Sequence, residues 1–211
     1  MNHSVARTNY NRLSRWYDLF SKPEIKFKET CLHLLDVRLG EKVLEIGFGT
    51  GHVLIDLAYS TGGNGNVFGI DLSDGMFHMA RINISRSKLT KLVNLQQGDA
   101  VNLPYKNNYF NAIFMSFTLE LFRTEEALLV LRECKRVLCE NGRIGIVALN
   151  QNNRLPVKIY NWFHLHMPSL VDCHPIDVRN IIETAGFEPI GLFEKNMYGL
   201  PVVMLSARIN G

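Results

Sequence analysis

The sequence lacks the features of a membrane-spanning, disulfide-linked or strongly basic protein. No apolar run reaches the length needed to cross a bilayer, although 46% of its 211 residues are hydrophobic. Its four cysteines show no Cys-x-x-Cys spacing, which disfavours a zinc or redox motif. The net charge of +3 is too small to indicate nucleic-acid binding by itself. The chain is long enough to bury a full core, so we expect one compact domain.

The N-terminal segment lacks the apolar core of a signal peptide, so we expect a cytoplasmic protein with reduced cysteines. Its first thirty positions nevertheless concentrate basic residues, with aromatic residues between them. The basic residues are Arg7, Arg12, Arg15, Lys22, Lys26 and Lys28. This pattern is typical of a solvated helix face, and it also fits peripheral contact with a membrane surface or an anionic substrate. Both interpretations stay open, no nucleic-acid partner is expected, and the oligomeric state is left open.

The strongest motif is a strand-like run that ends in three alternating glycines. Residues 43–46 suit a buried parallel strand, and residues 47–51 read Gly-Phe-Gly-Thr-Gly. Helical spacing begins at His52, so N–H groups at a helix start would face a ligand above the strand. A dinucleotide fingerprint would need glycine at position 52, and a P-loop would need a following Lys-Ser or Lys-Thr pair. The motif therefore indicates a nucleoside with a small anion.

Carboxylates after two further strand-like runs support a nucleoside site. Residues 67–70 form a short apolar run that ends in Asp71, which could accept hydrogen bonds from both ribose hydroxyls. In the helix that follows, Met76 is near enough in sequence to pack on an adenine. A third run at 93–97 leads to Asp99, whose carboxylate could accept from an adenine amino group.

Taken in order, these motifs resemble the class I S-adenosylmethionine-dependent methyltransferases. The matching segments are Glu-x-Gly-x-Gly-x-Gly at 45–51, Asp71, Gly-Asp-Ala at 98–100, the strand at 110–116 and Arg-Val-Leu-x-x-x-Gly-Arg at 136–143. The upstream pair Tyr17-Asp18 and the segment 103–105, Leu-Pro-Tyr, resemble the branch that contains ubiquinone and menaquinone C-methyltransferases and small phospholipid N-methyltransferases.

The resemblance implies S-adenosylmethionine as the cofactor and assigns its contacts to the motif residues. They are Tyr17, Glu45, Gly47, Gly49, Thr50, Gly51, Asp71, Leu72, Met76, Asp99, Ala100 and Ser116. Tyr17 belongs to a leading stretch that resembles the segment closing over the cofactor in this family.

The alternation of helical and strand-like patterns predicts a single α/β domain with a doubly wound, Rossmann-like architecture. We expect a seven-stranded, mostly parallel sheet, and the resemblance implies an antiparallel C-terminal hairpin. The expected parts are a lid and helix at 1–39, a cofactor-binding core at 40–149, a substrate cap at 150–174, and a last helix with C-terminal strands at 175–211. After the fourth strand, a helix should run from its N-cap Thr124 to Cys139 and stop at Asn141-Gly142, before a strand at 143–149.

The segment 150–174 is long for a connection between a strand and a helix, and it is rich in aromatic and aliphatic residues. Since long loops at this edge are usually functional, a cap over the acceptor is favoured over a segment that only covers the sheet. His164, His166, Cys173 and His174 are of metal-ligating type. However, His-x-His on a helix directs the two rings apart, and no compact ligand pair is present, so no metal is expected.

Methyl transfer requires mainly positioning, together with a base when the acceptor is a hydroxyl compound. Candidate catalytic residues are Glu120, His164 and His174; for Glu120 a structural hydrogen bond is an equally good interpretation. The expected acceptor is small and partly apolar, either quinol-like or lipid-like. The alternatives are a macromolecule such as tRNA or protein, a small polar metabolite, or a binding protein that has lost catalysis.

Overall fold

The computed structural model of the protein describes residues 24–151 and 175–209, and every structural statement below concerns these residues. The helices are α1 (Ile25–Leu35), α2 (His52–Thr61), α3 (Asp74–Arg86), α4 (Thr124–Val137) and α5 (Val178–Thr184). The strands are β1 (Lys42–Ile46), β2 (Asn66–Asp71), β3 (Val93–Gln97), β4 (Phe110–Ser116), β5 (Leu138–Leu149), β6 (Phe187–Met197) and β7 (Leu200–Ile209). The 3₁₀ turn Leu119–Leu121 follows β4.

The strands form one sheet in the order β3-β2-β1-β4-β5-β7-β6. The strands β1 to β5 pair in parallel, and β7 pairs antiparallel with both β5 and β6. This arrangement confirms the predicted mostly parallel, seven-stranded sheet with an antiparallel C-terminal hairpin. The strand order reverses between β1 and β4, and in open α/β sheets such a switch point creates a crevice at the carboxyl ends of the strands. The fold therefore places the glycine turn after β1 at this crevice.

Two hydrophobic clusters cover the two faces of the sheet. Successive side chains of β1 alternate between them: Val43 belongs to one cluster, and Leu44 and Ile46 belong to the other. Helices α1, α2 and α3 pack on the Val43 side, whereas α4 and α5 pack on the opposite side. This double coverage explains why the central strands read as continuous apolar runs.

Helix α1 runs antiparallel to β5. Near its C-terminal end, the Arg143 guanidinium donates to the carbonyl oxygens of Leu35 and Asp36 and forms a two-pronged ion pair with Glu41. Further along β5, the Cys31 thiol lies 3.5 Å from the Ile146 carbonyl oxygen. The N-terminus of α1 therefore points to the edge of the sheet where the parallel strands end.

Both ends of α4 differ from the prediction. Residue Arg123, not Thr124, occupies the N-cap position, and its N–H donates to the Glu126 carboxylate at 3.1 Å. At the other end, the chain becomes extended at Leu138, which pairs with Phe110 before the register shifts. The turn residues 141–142 therefore form an irregularity inside β5 and do not end the helix.

The chain leaves and re-enters the described region at one place on the sheet. Gln151 donates its N–H to the Ile176 carbonyl oxygen at 2.9 Å, and Ile176 donates to the Leu149 carbonyl oxygen at 3.1 Å. The expected cap lies almost wholly between these anchor points, and therefore outside the described residues. The expected lid, which precedes residue 24, also lies outside them. Within the described part of the chain, no helix is both long and apolar enough to cross a membrane.

Candidate active site

The glycine turn follows β1 directly and uses backbone conformations that favour glycine. Gly47, Gly49 and Gly51 have φ angles of 72°, 53° and 83°. A side chain at Gly47 would collide with the side chain of Thr118, and a Cβ atom at Gly51 would lie 2.9 Å from the Cβ of Ala80. The first glycine thus lets β1 approach the segment after β4, and the third lets α2 approach α3. The protein therefore packs closely against the turn at Gly47 and Gly51.

The Asp71 carboxylate ties the end of β2 to this turn. Its Oδ2 accepts from the Gly49 N–H at 2.9 Å, and its Oδ1 accepts from the Ser73 N–H at 2.8 Å. Burial raises the pKa of Asp71 from 3.8 to about 6, and these backbone donors oppose the rise. Each carboxylate oxygen has a second lone pair, so Asp71 keeps the capacity to accept from ribose hydroxyls. The sequence had indicated the ribose role and had missed the bond to Gly49.

Glu45 is a buried acid beside this turn. Its side chain is 3% exposed, and its Oε2 has no hydrogen-bond partner among the described residues. Burial raises the pKa of Glu45 well above its usual value; the nearby charge of Lys28 lowers it, and that of Asp71 raises it further. An unpaired buried oxygen is unusual and points to a missing polar partner.

The residues expected around the adenine lie on the β2–β3 side of the same edge. Ser73 caps α3, because its Oγ accepts from the Met76 N–H at 3.2 Å. The Met76 side chain is only 2% exposed, so it offers little surface in this conformation. The Asp99 Oδ1 accepts from the Val101 N–H at 3.1 Å, and Ala100 is buried. Met76, Asp99 and Ala100, like Thr50 and Leu72 in the neighbouring loops, stay predictions as cofactor contacts.

The segment after β4 has an unusual backbone that the sequence did not reveal. Phe117 has a φ of 51°, which is rare for a bulky residue and is concentrated at functional sites. Its N–H donates to the Val147 carbonyl oxygen at 2.7 Å, which holds the turn against β5. The Thr118 Oγ1 donates to the Ser116 carbonyl oxygen at 3.0 Å. Ser116 and Thr118 are thereby brought beside Gly47.

Glu120 lies where β4 and β5 end, on the side of this edge where we expect the acceptor. It is 0% exposed, and its Oε1 accepts from the Leu149 N–H at 3.1 Å. Its Oε2 has no hydrogen-bond partner in the described ranges 24–151 and 175–209. Burial raises the pKa of Glu120 from 4.5 to about 8, with a further contribution from the Glu24 carboxylate. Its structural hydrogen bond and its potential as a base therefore coexist.

Sequence reasoning missed the role of the first turn of α1. The Lys28 ammonium lies 2.8 Å from the Glu24 carboxylate, and their side chains are only 19% and 18% exposed. The place of Lys28 in the basic segment is typical of a solvated helix face, but its side chain is largely buried and paired with Glu24. The spacing of Glu24 and Lys28, four residues apart on a helix, was the available signal.

Several predicted site residues cannot be placed. Tyr17, His164, His166, Cys173 and His174 lie outside the described residues. Among the residues that are described, no group of three or more histidine, cysteine, aspartate or glutamate side chains is arranged to hold a metal ion. The described site is therefore built from carboxylates, glycine backbone and hydroxyl groups.

Comparison with known proteins agrees with this geometry. Residues 43–142 match the family described as a methyltransferase domain. The demethylmenaquinone methyltransferase of Lactobacillus johnsonii is 35% identical over 125 residues, which are 59% of this chain and 50% of the relative. That of Geobacillus is 27% identical over 169 residues, 79% of this chain and 71% of the relative. The crystal structure of a SAM-dependent methyltransferase from Aquifex aeolicus is 25% identical, with a TM-score of 0.66, and the match covers 86% of this chain and 89% of that one.

The fold, the site and the matched methyltransferase domain together resemble a class I S-adenosylmethionine-dependent methyltransferase, in agreement with the sequence prediction. Within this class the chain resembles the menaquinone branch, although it spans only half the length of the Lactobacillus relative. The described residues fit S-adenosylmethionine, the cofactor of the class. The glycine turn presents backbone, Asp71 can accept from hydroxyl donors, and the unpaired Oε2 of Glu45 can accept from an ammonium group.

Proposed function

We propose that the protein transfers a methyl group from S-adenosylmethionine to a small, partly apolar acceptor of the quinol type. The observation that carries this proposal is the convergence of the glycine turn, Glu45 and Asp71 at the switch point of the sheet. These residues are suited to a nucleoside joined to an amino acid, and none of them forms a grip for a phosphate chain.

The chain's own residues would act mainly by positioning. The bound cofactor supplies an electrophilic methyl group on a sulfonium. Asp71 would fix the ribose, Glu45 the amino group, and the backbone of residues 47–51 the part between them. Ser116 and the strained turn at Phe117 would separate the cofactor from the acceptor. Alignment of the reacting atoms at about 3 to 3.5 Å supplies much of the rate enhancement in such a displacement.

Support for a quinol-like acceptor comes from the relatives. The Lactobacillus and Geobacillus relatives are both named demethylmenaquinone methyltransferases, but their identity to this chain is modest. The apolar composition of the segment 150–174 agrees with an acceptor that contains a ring or an acyl chain. The basic residues before position 24 would then allow peripheral contact with the membrane in which such an acceptor is dissolved.

The test is methyl transfer from labelled S-adenosylmethionine to four separated fractions: total lipid extract, small polar metabolites, tRNA and protein. We expect label in the lipid fraction, and a reduced 1,4-naphthoquinol should serve as a defined acceptor. Label confined to another fraction would identify a different class of acceptor and leave the methyltransferase assignment intact. Absence of transfer to every fraction, combined with tight cofactor binding, would instead indicate a binding protein.

A further inference from the structure

We propose that Glu120 is the catalytic base of this site, accepting the proton that the acceptor loses during methyl transfer. This inference rests on the proposed function and adds the residue that performs its proton transfer. The geometry begins with the 3₁₀ turn Leu119–Leu121, which follows β4 and directs the Glu120 carboxyl group to the end of β5. The proposed cofactor residues lie at the ends of β1 to β4 and in the turns after them. Glu120 lies further along the chain, in the 3₁₀ turn after β4.

The position of Glu120 is tied to the chain that leaves the sheet here. Leu149 donates its N–H to the Glu120 Oε1 at 3.1 Å and accepts the Ile176 N–H on its carbonyl oxygen at 3.1 Å. The same residue therefore holds Glu120 and the returning chain at 176. Glu120 therefore lies beside the point where the chain leaves and re-enters the sheet, and the proposal places the acceptor here.

The hydrogen bonding of Glu120 is half complete. Its Oε1 is used, and among the described residues its Oε2 has no partner although the residue is 0% exposed. A purely structural link to the Leu149 N–H would be made equally well by a glutamine, since only one carbonyl-type oxygen is needed. The free oxygen is explained when an acceptor hydroxyl supplies the missing partner.

The charges around Glu120 suit a base that works near neutral pH. Burial and the Glu24 carboxylate of α1 raise its pKa, to about 8. Glu24, at the N-cap of α1, is itself paired with Lys28, and the backbone amides of Glu120 itself and of Leu149 in β5 lower the pKa. A general base is most effective when its pKa lies near the operating pH.

The proton and electron balance of the step is simple. The acceptor's hydroxyl proton moves to Oε2 of Glu120, and the resulting oxyanion supplies the electron pair for the bond to the methyl carbon, either from oxygen or, through the ring, from a ring carbon. When a ring carbon is methylated, that carbon then loses its proton to restore the aromatic ring, and that proton re-forms the hydroxyl group. The pair of the cleaved carbon–sulfur bond stays on sulfur. Glu120 then releases one proton to solvent for each methyl group transferred, so no oxidant or reductant is required.

The decisive variant is Glu120→Gln, which keeps the oxygen that accepts from Leu149 and removes the basic site. Single-turnover methylation of a 1,4-naphthoquinol should fall by about 100-fold or more, as general bases typically contribute. The cofactor Kd from calorimetry should stay within about twofold, since the Leu149 bond and the cofactor residues are kept. Glu125→Gln, an exposed neighbour on α4, is the matched control. A rate within about threefold of the wild type would overturn the proposal.

The pH profile separates a base from a structural residue. The wild-type rate should rise with pH and reach a plateau as Glu120 loses its proton, whereas Glu120→Gln should lose this dependence. Glu120→Asp should retain part of the rate because it keeps a carboxylate. A Gln variant with the wild-type pH profile would contradict the proposal.

A spectroscopic measurement tests Glu120 without turnover. Infrared difference spectra of the wild type, assigned with Glu120→Gln, should show the protonated Glu120 carbonyl band disappearing as pH rises. Adding the naphthoquinol with S-adenosylhomocysteine should shift that titration. A titration unaffected by the naphthoquinol overturns Glu120 as its base even when methylation is observed, and failure of the proposed function is detected separately by the labelling experiment. If Glu120→Gln does not fold, Glu120→Asp provides the assignment and the rate comparison.

Discussion

At the edge where the parallel strands end, carboxylates on the two sides differ in their hydrogen bonding. The cofactor side comprises the turns after β1, β2 and β3, and the proposed acceptor side comprises the turn after β4 and the end of β5. On the cofactor side, both oxygens of Asp71 accept backbone N–H groups, and Asp99 accepts from Val101. On the acceptor side, Glu120 uses one oxygen and keeps the other unpaired within the described chain. The carboxylates of the cofactor side are thus held by backbone donors, whereas the unpaired oxygen of Glu120 is the basis of its proposed role as a base. Glu45, which we propose holds the amino group of the cofactor, is the exception on the cofactor side, because its Oε2 is also unpaired within the described residues.

The largest effect should come from breaking the backbone of the cofactor side. Gly49→Val places a β-branched residue at a φ of 53°, where such residues are strained, and disturbs the N–H that Asp71 binds. We expect cofactor binding to fall below detection by calorimetry while far-ultraviolet circular dichroism stays native. Tight binding in a folded Gly49→Val protein would show that the turn does not hold the ligand.

A smaller loss should follow removal of the carboxylate that stabilises this turn. Asp71→Ala removes the acceptor for Gly49, for Ser73 and for the proposed ribose contact, so S-adenosylmethionine affinity should weaken by about 10-fold or more. Asp74→Ala is the control, because Asp74 is a half-exposed carboxylate three residues further along the chain, at the start of α3. Equal affinities in the two variants would remove Asp71 from the site.

The pH dependence of stability should sharpen the contrast on the acceptor side. Glu120 has a pKa of about 8 when folded and 4.5 ordinarily, so the folded state binds more protons between these values. The free energy of unfolding should therefore decrease as pH rises from about 4.5 to 8. Asp71 contributes the same sign between 3.8 and about 6.

Urea unfolding across this pH range compares the wild type with Glu120→Gln. The Gln variant should gain relative stability above pH 4.5, and the gain should level off near pH 8. The contribution of Asp71 is common to both proteins and cancels. Parallel curves would mean that Glu120 titrates like an ordinary surface glutamate.

The cofactor side was more predictable from the sequence than the acceptor side, for physical reasons. The strand β1, the glycine turn and Asp71 are contiguous or closely spaced, and their local patterns dictate backbone geometry. The contacts of Thr118 with Gly47 and of Glu120 with Leu149 join distant segments and have no local pattern. The same holds for the irregularity of β5 at 141–142, where strand pairing replaced the expected helix stop. The half-buried position of Lys28 could not be predicted, because composition alone does not reveal which face of α1 is covered.

The bond between Asp71 and Gly49 has a consequence for the thermodynamics of binding. Because the Asp71 carboxylate holds the glycine turn through a bond within the protein itself, we expect the conformational entropy of ordering this backbone to be lost during folding and not on ligand association. The nucleoside end of the ligand therefore meets a preorganised surface. Association there should proceed with little reorganisation of residues 47–51.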